Sequence, residues 1–175
     1  DTKGMRIEHI TPRSVAPEEM YTWDNLLGCC GGRSTASDGT VHEHCDRSRG
    51  AHSLKVNPAH AGNPNPERVF SFSRTPNNGG ATATDGLWVC AEPGYEDDVR
   101  ALNLNNPALT IRRRDVERPL AVRLSRARDD QGVARALRSM LREATEPDST
   151  GRLPAFALVV QRYAERKLRA RGLTT

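Results

Sequence analysis

The sequence IEHITPRS at residues 7–14 opens the tract that decides the fold, and WDNLLGCCGG at 23–32 and HCDRSRG at 44–50 complete it. Apolar and polar residues alternate in MRIEHI at 5–10, which predicts a short half-buried strand. Thr11-Pro12 ends that strand, because proline cannot donate to a sheet. We expect a second strand after Asn25, a polar loop over 31–42, and a helix beginning at Asp46 and extending toward Leu54.

The rest of the chain predicts a hairpin followed by helices. Residues 69–73 alternate like a strand, and Asn77-Asn78-Gly79-Gly80 is a hairpin turn before a return strand at 81–84. Residues 96–102 favour a short helix. Longer helices are predicted at 107–128, 130–145 and 153–171, the last with Pro154 near its first turn and Gly172 past its end. The prediction is an α+β chain with modules at 1–60, 61–106 and 107–175.

The charge of the chain is unevenly distributed. The net charge is +4, yet residues 1–100 carry 10 basic and 14 acidic side chains, whereas 101–175 carry 16 and 8. A basic C-terminal region fits a polyanionic partner such as DNA, since each phosphate contact releases counterion. General arginine enrichment on solvated helix faces explains the same pattern.

Four cysteines in 175 residues do not form the disulfide framework of a small secreted domain. The sequence has no apolar run of membrane-spanning length and no signal-peptide pattern. We therefore expect a soluble, cytoplasmic protein without a membrane partner. The chain opens at Asp1 rather than Met, which predicts further residues upstream.

The residues of the opening tract suit phosphodiester hydrolysis. That reaction needs a base to deprotonate water and a cation to neutralise the phosphate. His9 is the candidate base, and Asn25 the candidate residue that orients its imidazole. Glu8 and Asp46 are the candidate ligands of a hard divalent ion, Mg²⁺ or Mn²⁺.

These motifs, with Asn57-Pro58, LNLN at 102–105 and the segment 153–156, resemble the HNH nucleases of Septu and some retron anti-phage defence systems (PtuB-like). The resemblance covers nearly the whole chain. It implies a ββα-metal fold, with His9 as general base, and with Glu8 and Asp46 as metal ligands. It also implies an ABC/SMC-like ATPase partner that holds and gates the nuclease.

The resemblance further implies a structural zinc site. Members of this family carry a Cys-x-x-Cys before the strand, whose thiolates join the cysteines that match Cys30 and Cys45. This chain starts after that position, so it carries half of the site, with His42 or His44 as supplementary donors. Without the upstream half, zinc binds weakly and the loop at 28–45 is mobile. Otherwise, His42 and His44 are polar loop residues.

Several arginines are candidate phosphate contacts. Arg47 and Arg49 follow Asp46, and Arg112-Arg113-Arg114 form the densest basic run, which fits a DNA backbone or an acidic partner surface. Trp23 is expected to be the platform on which the Asn25 loop packs. Asn103 and Asn105 are expected to join the nuclease module to the helices.

Two other functions fit the sequence. One is a stand-alone HNH nuclease of the restriction type, active without an ATPase. The other is a non-catalytic ββα module that binds nucleic acid or a partner through its arginine-rich helices.

Overall fold

The computed structural model describes residues 6–57, 64, 66–75 and 86–173. The chain divides into two compact units, Asp1–Thr110 and Ile111–Thr175. In the described part, the first unit holds three two-stranded antiparallel sheets with short helices, and the second unit is helical. The predicted α+β class is therefore confirmed.

The first sheet pairs strand β1 (Arg6–His9) with strand β2 (Leu26–Cys29), as the alternation predicts. The strands run antiparallel, with Glu8 opposite Leu27 and His9 opposite Leu26. Two 3-10 turns, Pro17–Glu19 and Trp23–Asn25, form part of the connection. This arrangement puts Asn25 immediately before β2, where its backbone carbonyl accepts a hydrogen bond of 2.9 Å from Ile10.

A second hairpin lies where the sequence predicts a loop. Strand β3 (Arg33–Thr35) pairs antiparallel with strand β4 (Val41–Glu43). In the turn between them, the Asp38 carboxylate accepts from the Thr40 amide at 2.9 Å. Gly39 has a φ of +85°, which glycine adopts without strain. The loop prediction is wrong because local turn chemistry outweighs the low strand propensity of these small polar residues.

Helix α1 (Asp46–Arg49) follows this hairpin and is a single turn. It begins at Asp46 as predicted, but it does not extend toward Leu54. Gly50 has a φ of +58°, outside the helical region, and ends the turn at Arg49. The order of β1, β2 and α1 along the chain matches the expected order of strand, strand and helix, with the β3–β4 hairpin inserted before the helix.

The third sheet begins after helix α2 (Pro66–Val69) and pairs β5 (Phe70–Ser73) with β6 (Trp88–Ala91). The predicted turn at 77–80 and return strand at 81–84 lie outside the described residues. Within the described residues the partner of β5 is β6, whose Trp88, Val89 and Cys90 are buried. Helix α3 (Glu96–Ala101) follows, close to its predicted bounds.

Three asparagines in the LNLNN segment connect the elements of the first unit. Asn103 donates to the Glu43 carbonyl of β4 at 2.7 Å. Asn105 accepts from the amide of Val89 in β6 and donates to its carbonyl, at 2.8 and 2.9 Å. Asn106 accepts from the Leu109 amide at the start of helix α4 (Pro107–Ser125). The segment therefore connects β4, β6 and the start of α4. The sequence predicted only that Asn103 and Asn105 join the nuclease module to the helices.

The second unit contains most of α4, together with α5 (Asp130–Thr145) and α6 (Ala157–Arg169). Asp129 caps α5 by accepting from the Gly132 amide at 2.6 Å. The buried core of the second unit is formed by residues from all three helices: Leu120, Leu137, Met140, Tyr163, Ala164 and Leu168. The prediction that Pro154 lies in the first turn of α6 is wrong, because Phe156 has a φ of +57° and the helix begins at Ala157.

Among the described residues, every helix is too short or too polar to cross a bilayer.

Candidate metal and catalytic centre

The His9 imidazole is held by the backbone of the β1–β2 connection. Its Nε2 atom lies 2.9 Å from the carbonyl oxygen of Met20. A carbonyl oxygen only accepts, so Nε2 carries a proton, and in the neutral ring Nδ1 keeps its lone pair. Among the described residues, Nδ1 has no hydrogen-bond partner. A neutral imidazole with an open nitrogen is the state that a general base requires.

Asn25 acts on the backbone around His9 rather than on its ring. The side chain is 4% exposed, and its oxygen accepts from the Thr11 amide at 2.7 Å. Its amide nitrogen donates to the carbonyls of Thr11 and Glu19, both at 3.2 Å. The predicted hydrogen bond to the imidazole is therefore absent among the described residues. Asn25 fixes the strand end that carries His9 and the turn that precedes Met20.

Arg6 joins the two candidate metal ligands. Its Nη2 lies 3.2 Å from Glu8 Oε1, and its Nη1 lies 3.3 Å from Asp46 Oδ2. The Asp46 side chain is only 4% exposed, and its Oδ1 is buried with no hydrogen-bond partner. A buried carboxylate oxygen without a donor is costly, and a bound cation would lower that cost.

One cavity of about 230 Å³ brings the predicted residues together. Glu8, His9 and Asp46 all line it, with Cys29 and Cys45 beside them. Most of the remaining wall is apolar, formed by residues that include Leu27, Leu54, Val56, Phe70 and Leu102. An apolar wall lowers the local dielectric constant, which strengthens the interaction of the carboxylates with any cation.

A second cluster contains Cys30, His44 and Cys45. The two sulfur atoms are 3.6 Å apart, and His44 Nδ1 lies 3.8 Å from Cys30 Sγ and 3.2 Å from Cys45 Sγ. Ligand atoms around tetrahedral zinc are separated by about 3.5–3.8 Å. The three donors lie within 4.8 Å of one another and can hold a metal ion. Cys30 and Cys45 were expected here, and of the two supplementary histidines it is His44 that contributes.

The backbone fixes this cluster from both sides. The His44 amide donates to the Gly32 carbonyl at 2.9 Å, and the Cys45 amide donates to the Leu102 carbonyl at 2.8 Å. Burial, followed by the proximity of Cys30, raises the pKa of Cys45 to about 12. Burial also raises the pKa of Cys29, with Asp46 and Glu8 as further causes. A bound cation would favour the thiolate form of Cys45 and offset its burial.

His44 and Arg6 make contacts at these two clusters. From the sequence, the His44 contact was predicted only as one alternative, and the Arg6 contact was not predicted. His44 is buried, at 6% exposure, whereas a polar loop residue would be exposed to solvent. Its position next to Cys45 in HEHC was the available signal. Arg6 lies two residues before Glu8. Alternate residues of a strand share a face, so the sequence spacing could have predicted their contact.

Arg49 has a structural role in place of the predicted phosphate contact. Its guanidinium is buried and donates to the carbonyls of Ile10 and His9, at 2.6 and 2.5 Å. The prediction for Arg49 is wrong because both terminal nitrogens are bound to backbone. Arg47 donates to the Gly31 carbonyl at 2.8 Å through Nε and remains exposed, so its phosphate contact stays a prediction.

The basic run on α4 is only partly available to a ligand. Arg112 is exposed, but Arg113 is 5% exposed, and Arg114 donates to the buried carboxylate of Glu117 at 2.8 Å. One helix cannot direct three successive side chains to one side, since consecutive residues lie about 100° apart. A continuous DNA contact along all three arginines is therefore wrong.

Trp23 is 84% exposed, so the prediction that it packs beneath the Asn25 loop is wrong. The loop is held instead by the Asn25 hydrogen bonds.

Comparison of the chain with protein-family models, with curated proteins and with solved structures gave no match.

Proposed function

We propose that the protein is a metal-dependent endonuclease of the HNH type, which hydrolyses phosphodiester bonds in DNA. The observation that carries the proposal is the buried Oδ1 of Asp46, which has no hydrogen-bond donor and belongs to a residue that lines the same cavity as Glu8 and His9. Two carboxylates and a neutral imidazole around one cavity are the groups that this hydrolysis requires.

Glu8 and Asp46 would hold the divalent ion, Mg²⁺ or Mn²⁺, through hard oxygen ligands. When bound, the ion would supply positive charge for the phosphate and the leaving oxygen. His9 performs the proton transfer. Its Nδ1 takes a proton from water as the water oxygen adds to phosphorus, the bond from phosphorus to the leaving oxygen breaks, and that oxygen takes a proton from solvent.

The Cys30–His44–Cys45 cluster would hold a structural zinc ion. Two thiolates and an imidazole nitrogen are soft and borderline donors, which zinc prefers to the ligands of a magnesium site. His44, Cys45 and Asp46 are consecutive, so an ion at the cluster would fix the backbone immediately before the catalytic carboxylate. Tetrahedral zinc takes four ligands, so one further donor would complete the site.

The test is cleavage of plasmid DNA by the full chain with Mg²⁺ or Mn²⁺. His9→Ala should lower the rate by about 10²–10⁴-fold, the usual contribution of a general base, while DNA binding is retained. Asp46→Asn should also lose activity, because it removes a ligand of the divalent ion. Matched controls are His42→Ala and Asp38→Asn, which lie on the β3–β4 hairpin away from the cavity. Unchanged cleavage by His9→Ala, or cleavage that survives EDTA, would contradict the proposal.

The role in anti-phage defence and the ABC/SMC-like ATPase partner are also part of the proposal, and they rest on the resemblance. A gated nuclease should cut DNA weakly alone and strongly when the ATPase is present. Affinity purification from the native host, followed by mass spectrometry, should recover that ATPase in stoichiometric amounts. Strong cutting by the isolated chain would favour the stand-alone nuclease instead. DNA binding without cleavage in either preparation would favour the non-catalytic module.

A further inference from the structure

The Arg6 guanidinium occupies the position between the two carboxylates that would hold a metal. It contacts Glu8 Oε1 at 3.2 Å with one terminal nitrogen and Asp46 Oδ2 at 3.3 Å with the other. Arg6 and Glu8 lie on the same face of β1, and Asp46 is the first residue of α1. The positively charged Arg6 side chain therefore links strand β1 to helix α1.

We propose that Arg6 is the counter-cation of the metal-free centre and that its guanidinium leaves the carboxylates when a divalent ion binds. Arg6 thereby sets the metal concentration at which the nuclease centre loads. This inference rests on the proposed function, because it takes Glu8 and Asp46 as the ligands.

The size of the two cations explains why they exclude each other. Mg²⁺ binds oxygen ligands at about 2.0–2.1 Å, so two carboxylates on one ion must come close together. The guanidinium is larger, and it keeps each carboxylate on a separate nitrogen. Glu8 and Asp46 cannot close around an ion while Arg6 remains between them.

The guanidinium is also an incomplete partner for Asp46. It pairs with Oδ2 and leaves Oδ1 buried without a donor. A divalent ion held by Asp46 would supply the positive charge that this oxygen lacks. Arg6 itself is 42% exposed, so its head group can move into water at low cost when the ion arrives.

Nearby arginines do not share this position. Arg49 is bound to the carbonyls of His9 and Ile10, and Arg47 to the carbonyl of Gly31. Arg33 pairs with Glu43, 2.9 Å away on the β3–β4 hairpin. Among the described residues, Arg6 is the cation that forms ion pairs with both carboxylates.

The first measurement is Mn²⁺ affinity. The full chain is loaded with zinc at the Cys30–His44–Cys45 cluster, and free Mn²⁺ is measured by electron paramagnetic resonance during titration. Arg6→Gln should bind Mn²⁺ about tenfold more tightly than the unsubstituted protein, because two charge-assisted contacts no longer have to break. The matched control, Arg33→Gln, removes the same charge from a surface pair and should change the affinity less than about twofold.

The second measurement observes the displacement itself. The Arg6 guanidinium resonance is assigned in ¹⁵N nuclear magnetic resonance spectra by its loss in Arg6→Gln. Saturating Mg²⁺ should shift that resonance toward the position of a solvated arginine, while the Arg49 resonance stays unchanged.

The outcomes separate the two proposals. If Asp46→Asn abolishes Mn²⁺ binding but Arg6→Gln leaves the affinity unchanged, the metal centre stands and the role of Arg6 is overturned. An Arg6 resonance that does not respond to saturating Mg²⁺ also overturns it. If the unsubstituted protein shows no Mn²⁺ binding that depends on Asp46, the proposed metal centre fails, and the inference about Arg6 fails with it.

Discussion

The Nε2 atom of His9 lies 2.9 Å from the carbonyl oxygen of Met20, so a main-chain acceptor orients the candidate base. No side-chain substitution removes that acceptor. The turn that presents it is fixed by Asn25, whose amide donates to the Glu19 carbonyl next to Met20. The tautomer of the imidazole therefore depends on the fold of the β1–β2 connection rather than on a neighbouring carboxylate.

This contact predicts that neutral His9 carries its proton on Nε2. Long-range ¹H–¹⁵N correlation spectra, recorded at a pH where the ring is neutral, should show a protonated Nε2 and an unprotonated Nδ1. In Asn25→Ala the same spectra should show a mixture of tautomers, because the loss of three hydrogen bonds loosens the turn. An Nδ1-protonated ring in the unsubstituted protein would contradict the assignment of Nδ1 as the proton acceptor.

We predict that Gly32 cannot be replaced without a large loss of stability, because it lies close to both Asp46 and His44. It has a φ of +67°, and a Cβ there would lie 2.9 Å from Asp46 Oδ1 and 2.9 Å from the His44 carbonyl oxygen. Gly32→Ala should destabilise the first unit by about 3 kcal/mol, from backbone strain and steric overlap together. Urea denaturation gives the free energy of unfolding.

Gly39 provides the matched control for Gly32. Its φ is +85°, but a Cβ would meet nothing within 4 Å. Gly39→Ala should therefore cost only the backbone strain, about 1–2 kcal/mol, and leave zinc affinity unchanged. Equal effects of the two substitutions would show that the close approach of Gly32 to Asp46 has no energetic importance.

His44 is predicted to be a zinc ligand and His42 is not. His44→Ala should weaken zinc binding by at least about 10²-fold, since it removes one of three donors. His42→Ala, on the adjacent strand β4, should leave it within about twofold. Competition with a chromophoric zinc chelator measures both affinities. Equal losses in the two variants would contradict the cluster.

Zinc binding should also depend on pH in a defined direction. The raised pKa of Cys45 keeps its thiol protonated at neutral pH in the metal-free protein. Zinc binds the thiolate, so each thiol proton competes with the metal. The apparent affinity should rise about tenfold for each pH unit per proton released, throughout the range below the thiol pKa. Calorimetry in buffers of different ionisation enthalpy counts the released protons.

Two glutamates of the second unit should contribute unequally to its stability. Glu117 is 2% exposed and receives contacts from Arg114 at 2.8 Å and Arg166 at 3.3 Å. Glu117→Gln should cost about 3 kcal/mol, because it leaves two arginines beside a neutral group. Glu143 pairs with Arg123 at the surface, and Glu143→Gln should cost only about 0.5 kcal/mol. Thermal unfolding compares the two.

The Glu143 effect should disappear in acid. Its hydrogen bond to Arg123 lowers the pKa of Glu143. A carboxyl group with a lowered folded-state pKa stabilises the protein above its unfolded pKa, and that contribution is lost as the pH falls through the folded pKa. The difference between the unsubstituted protein and Glu143→Gln should therefore begin to shrink near the unfolded pKa of glutamate, about 4.3, and vanish below the lower folded pKa. A difference that persists unchanged at pH 3 would contradict the ion pair.

The parts of the fold that follow local patterns were predictable. The alternation in MRIEHI gives β1, and the spacing of Leu137, Met140 and Ala144 gives the buried face of α5. These features depend on neighbouring residues, and the sequence contains that information directly.

Features that depend on distant partners were not predictable. Whether an arginine is solvated or buried is decided by what faces it, and Arg49 faces two carbonyls from residues 39 and 40 positions away. The hydrogen bond from Asn103 to the Glu43 carbonyl of β4 spans 60 residues, so no local sequence pattern indicates it. Helix α6 begins late because Phe156 adopts a positive φ, which no propensity for phenylalanine indicates.

The adjacency of His44, Cys45 and Asp46 has a consequence for how the chain can change in length. A residue inserted anywhere in this tripeptide would rotate the carboxylate away from the cavity or a donor away from the cluster. The Ala36–Thr40 turn lies at the other end of strand β4, is mostly exposed, and can lengthen without moving either group. Natural variants of this protein should therefore differ in length at that turn and keep the spacing from His44 to Asp46 constant.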